Sequence, residues 1–234
     1  MKPPFKVMPF ADVGTQEPFL ARLGPGLIDI LNATTYLKRQ EITEAIMKVS
    51  TDCIIPAFTS LRELRKIAGD PAAPLLNKIK SFDDLCRYLW TAYKDRMQSA
   101  ARIMGYDIGF LFQKDAAFEA GCESFLKANP NVRPALVEVM KHNRATWQTD
   151  LGRFRNEYLE HQKMTQEEVA GFYSLARAEE LFEVVWITIE EILALLMEAD
   201  LPAGACLREI PESERSPSIP LRFGFGWLQA PPGP

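Results

Sequence analysis

A chain of 234 residues that is 47% hydrophobic and 25% charged has the make-up of a globular domain able to bury one substantial core. Its net charge of −4 and isoelectric point near 5.4 exclude a broad basic surface for duplex DNA, but leave room for a small local phosphate site. The most apolar run, Ile192 to Met197, is far shorter than the roughly 20 residues of a membrane span, so no membrane partner is expected.

Residues 1–26 carry Pro3, Pro4, Pro9, Pro18 and Pro25 and cannot form a continuous helix, because proline lacks the donor and clashes with the preceding turn. With Phe5, Val7, Met8, Phe10, Phe19 and Leu20 the segment reads as an arm packed on the body or on a partner chain. It has no apolar stretch of signal-peptide length. Cys53, Cys86, Cys122 and Cys206 are scattered and form no metal-clamping pair, which fits reduced thiols in a cytoplasmic protein.

From residue 27 to 198 the spacing is helical. Ile42, Ile46, Val49, Cys53, Ala57, Leu61 and Leu64 share one face, with a kink expected at Pro56 and a stop at Gly69-Asp70-Pro71. Ser81 and Asp84 resemble a capping box, predicting a helix that buries Phe82, Leu85, Leu89, Tyr93, Met97 and Met104 and ends at Gly105. Another is predicted over 108–127, closed by Asn129-Pro130. The stripe Leu136, Met140, Trp147, Leu151, Phe154, Tyr158, His161 predicts a long helix over 131–163, with a bend at Gly152. Thr165 to Glu168 forms a capping box for the last helix, which runs to Glu198. The fold class is therefore all-α: a bundle of four to five long antiparallel helices between a proline-rich N-terminal arm and a C-terminal tail over 199–234. That tail is proline-rich and then aromatic at Phe223, Phe225 and Trp227, and is expected to dock on the bundle or on a second subunit.

Neither His142 nor His161 has an acid three residues before it, so a ferritin-like di-metal site is excluded, and the common nucleotide-binding glycine loops and hydrolase elbows are missing. No cofactor is expected. Arg155, Asn156 and His161 stand out, an arginine and a histidine five intervening residues apart with a polar residue after the arginine.

This constellation, on a long helix of an all-α domain, resembles the R-x(4–6)-H motif of the HEPN superfamily. The likeness rests in residues on Arg155, Asn156 and His161, and in architecture covers about 81–198. It implies a metal-independent RNA endonuclease of toxin or defence type, a homodimer with RNA as substrate. Histidine can both take and give a proton near neutral pH, and the planar arginine fork suits phosphate oxygens. On a regular helix six steps set Arg155 and His161 about 120° apart, so a bend, the arginine's reach or a dimer axis must bring them together.

Bland readings stand beside this one. His161 could be a helix-end cation or pair with Glu157, and Arg155 could be solvated, five residues being a poor α-helical spacing for Glu160. His142 reads as solvent-exposed, and Trp90, Trp147 and Trp186 as core. The alternative function is a non-catalytic helical module for dimerisation or a protein partner. A third is a helical pocket for a small nucleotide or metabolite.

Overall fold

The computed structural model describes residues 40–70, 72–161, 163, 165, 168, 172–199, 201, 205–209, 211–214 and 223–227. The N-terminal arm, 1–26, lies outside the described residues. The predicted helical spacing over 27–39 also lies outside them, and the described residues from 40 to 199 form an all-α bundle, as the spacing predicts.

The first rod joins α1 (Gln40–Val49) to α2 (Ile55–Ala68) through a widened π turn, Ser50–Ile54. Pro56 has no N–H to offer the Asp52 carbonyl, and the helix opens just before it, Ile55 N–H reaching back to the Ser50 carbonyl. The kink expected at the proline is thus absorbed as a wider turn.

The second rod runs from α3 (Leu75–Trp90) through a π turn, Thr91–Arg96, into α4 (Met97–Met104). It starts before Ser81, contrary to the capping-box reading. Asp70 already closes a turn on the Ala72 N–H (2.9 Å) and extended Pro74 launches the helix, so Ser81 falls in its interior. Gly105 ends the rod at φ 100°, where an L side chain would be strained. Gly105 N–H on Arg102 O (3.0 Å) and Tyr106 N–H on Ala101 O (2.9 Å) satisfy the last carbonyls.

The helix expected over 108–127 is two pieces, a 3₁₀ turn Gly109–Phe112 and α5 (Asp115–Ala128), with buried Leu111 on the first. The fourth rod comprises α6 (Ala135–Asn143), a π turn Arg144–Gln148, α7 (Thr149–Arg153) and a second π turn Phe154–Glu160. The bend expected at Gly152 is not the cause of its irregularity. A Cβ there would lie 3.1 Å from Trp90 Cη2, so glycine admits the indole instead.

Thr165 and Glu168 form the expected reciprocal box, Thr165 N–H on Glu168 Oε2 (2.9 Å) and Glu168 N–H on Thr165 Oγ1 (3.3 Å). The long apolar helix nevertheless starts later. Tyr173 and Ser174 are not helical, and Ser174 Oγ caps α8 (Leu175–Glu198) by accepting from Arg177 N–H.

The first and fourth rods both run antiparallel to α8. Arg65–Glu179 and the Phe58–Phe182 rings tie the first rod to α8, while Arg133–Glu198 and Arg177–Asp150 tie the fourth to it. The middle is a polar junction in an apolar core: Tyr93 donates to Gln148 Oε1 (2.8 Å) and Gln148 Nε2 donates to Leu111 O (2.6 Å). Each group is buried and satisfied, so the junction fixes three segments in one register. Trp90, Trp147 and Trp186 are buried, as their spacing predicts.

Past α8, β1 (Ala205–Glu209) pairs antiparallel with β2 (Phe223–Trp227), Leu207 opposite Phe225, and both strands lie against α8. The Phe-Gly-Phe-Gly-Trp alternation has the two-residue period of a strand, which a reading for helices passes over.

Among the described residues no helix is long and apolar enough to cross a membrane, and no cluster of His, Cys, Asp or Glu could hold a metal. Cys53, Cys86 and Cys122 are free and buried.

Candidate functional site

The Phe154–Glu160 turn ends the fourth rod, and its inner side is aromatic. Phe154, fully buried, stacks on Phe172 with centroids 4.7 Å apart, and Tyr158 and Phe82 flank it at 5.1 and 5.7 Å. Tyr173 closes the cluster and donates to Asp83 Oδ1 at 2.6 Å, fastening the segment before α8 to α3. Burial, followed by the hydrogen bonds to Asp83 and Tyr158, pushes the Tyr173 phenol far above the usual range, so it stays a donor. Burial also raises the Asp83 carboxyl, against the opposing pull of Tyr173 and Arg87.

The outer side holds the residues singled out in the sequence. Arg155 and Asn156 are brought together: Arg155 Nη1 donates to Asn156 Oδ1 at 2.9 Å. Arg155 Nη2 lies 2.5 Å from Glu160 Oε1. The guanidinium carbon stands 6.0 Å from the Trp90 ring centroid, within the range of a cation–π contact. On α-helical geometry five residues is a poor spacing for an Arg155–Glu160 pair. A π turn closes its hydrogen bonds between residues five apart, which puts positions 155 and 160 over one another.

His161 follows directly, its backbone N–H on Tyr158 O, and its side chain is exposed. Among the described residues its imidazole has no hydrogen-bond or ionic partner, and none of them joins it to Arg155. The pairing of His161 with Glu157 does not form, because Glu157 is engaged by Arg153 at 2.7 Å.

Most basic residues of the fourth rod are paired with acids. Lys141 meets Glu119, Arg144 meets Asp115, and Arg153 bridges Glu157 and Glu168. Glu168 is held below the ordinary carboxylate range, first by the Thr165 N–H and then by Arg153. Lys163 and His142 are exposed. The sequence reading set Glu160 aside as a partner of Arg155, placed Trp90 in the core without its contact to Arg155, and missed the Asp83–Tyr173 link. Only the Phe-rich spacing around 154 hinted at the cluster, and the π register had no signal in composition.

No protein family, curated protein or solved structure matches the chain.

Proposed function

We propose that the protein is a metal-independent RNA endonuclease that works as a homodimer, with His161 as acid and base, Arg155 as the phosphate-binding group and Asn156 as its positioning neighbour. The observation that carries this reading is an exposed, unpaired imidazole directly after a turn that sets Arg155 and Asn156 side by side. Because no contact among the described residues joins the two functions within one chain, the reading sets them together across a two-fold axis.

In the reaction, one His161 takes the proton of a ribose 2′-hydroxyl and the 2′-oxygen bonds to phosphorus. The bond from phosphorus to the 5′-oxygen breaks, and the partner's His161 protonates that oxygen. The products are a 2′,3′-cyclic phosphate and a 5′-hydroxyl. Charge gathered on the equatorial oxygens meets the arginine forks. Purified protein should cut single-stranded RNA in the presence of a chelator and leave 2′-deoxy oligonucleotides whole. His161→Ala should lower the rate by about a hundredfold or more without altering the melting temperature, and undiminished cleavage by that variant rules the assignment out.

The second reading is a non-catalytic helical module, which would offer a partner the exposed apolar side chains of the first two rods, Leu76 at 73%, Ile55 at 47% and Tyr88 at 38%. Intact RNA together with a stable dimer or a bound protein would select it.

A further inference from the structure

Arg155 is held on three sides, and one of the holders is chemically out of place for a phosphate ligand. Asn156 Oδ1 takes one terminal nitrogen and the Trp90 ring lies within cation–π range of the guanidinium. The Glu160 carboxylate takes the other terminal nitrogen at 2.5 Å. A carboxylate on an arginine fork presents the same planar pair of oxygens as a phosphodiester. Arg155 is 30% and Glu160 40% exposed, so a solvent-borne anion can reach both. The guanidinium has five N–H donors, and its partners among the described residues leave several of them over. With its oxygen turned to Arg155, the Asn156 amide also keeps its NH₂ for an incoming oxygen.

We propose that Glu160 is an internal stand-in for an RNA phosphate: in the free protein it occupies the anion site of Arg155 and Asn156, and an RNA phosphodiester must displace it. This deepens the nuclease reading and rests on it for the identity of the anion. The π turn makes the device possible, because five-residue spacing meets only where the helix is widened. Trp90 and Asn156 keep the guanidinium in place when the carboxylate leaves.

The test measures binding apart from cleavage. The full-length protein and its Glu160→Gln variant are titrated with a fluorescent single-stranded oligonucleotide carrying 2′-O-methyl riboses, which cannot be cut. Glu160→Gln should bind roughly three- to fivefold more tightly at low salt, the range set by release of a partly exposed ion pair. Adding Arg155→Ala should abolish the gain. Glu123→Gln, the same charge change at an exposed position on α5, should give a much smaller one. The proposal is overturned by unchanged, weaker or undetectable binding in Glu160→Gln, by a gain that survives without Arg155, or by an equal gain from Glu123→Gln. Tighter binding with ordinary RNA left whole would retain the anion site and dismiss the nuclease. Cleavage with binding indifferent to Glu160 would do the reverse.

Discussion

Gly152 is where two side chains compete for one space. An added Cβ would sit 3.1 Å from Cη2 and 3.4 Å from Cζ3 of Trp90, which also packs on Phe112 at 5.9 Å between centroids. Alanine gains about 1 kcal/mol of helix propensity over glycine. Overpacking a filled site costs about 1–3 kcal/mol, so crowding outweighs propensity. Gly152→Ala should therefore lower the melting temperature by about 2–4 °C for each kcal/mol lost, as read by calorimetry. It should also shift the tryptophan emission, since Trp90 must move. A melting temperature at or above that of the unaltered protein would show that the indole yields freely. The sequence marks Gly152 but not its role, because a glycine that bends and a glycine that admits a neighbour look alike until the neighbour is known.

At the scale of elements, the Asp83–Tyr173 hydrogen bond joins α3 to the segment ahead of α8, and it carries a pH signature. Burial raises the Asp83 carboxyl in the folded state, so the folded protein holds this proton to higher pH than the unfolded chain. The associated stability is complete below the unfolded value of about 3.9 and is lost as pH rises through the folded one. Asp83→Asn keeps an acceptor for Tyr173 and removes the half-buried charge. It should be more resistant to urea than the unaltered protein at pH 7, with the advantage gone near pH 3.5. An advantage of equal size at both pH values would assign the effect to something other than ionisation. No pattern in the sequence joins residues 83 and 173, because they lie 90 positions apart, beyond the reach of any local spacing rule. The capping box at Thr165 and Glu168, by contrast, was legible because all its partners lie within four positions.

For the molecule as a whole, the core was readable and the phase of the helices was not. Leu61, Leu85, Leu89, Met97, Leu136, Leu151 and Phe154 are all fully buried, as three- and four-residue spacing requires. What spacing could not show is where a helix carries a wider turn, and that decides which side chains meet on the outside. Arg155 and Glu160 were set apart on α geometry and are in contact on the π turn. The ribbon of β1 and β2 was hidden for a similar reason, its partners being separated by more than a dozen residues of proline-rich chain.

A wide turn is also slack in the chain. Ser50–Ile54 houses more backbone per coil than the helices on either side, and Thr51 within it is exposed. Removing Thr51 would let Ile55 N–H close on Ser50 O as an ordinary four-residue bond, Pro56 still offering none to Asp52, while Ile46 and Ala57 keep their places in the core. Losing one residue from an unbroken helix instead swings everything beyond the cut by about 100° and ruins its buried face. The Thr51 deletion should thus fold with near-native circular dichroism and a single cooperative melt, whereas deleting Arg62 from the regular part of α2 should not. On that outcome the widened coils are where this chain can lose a residue without rebuilding its interior.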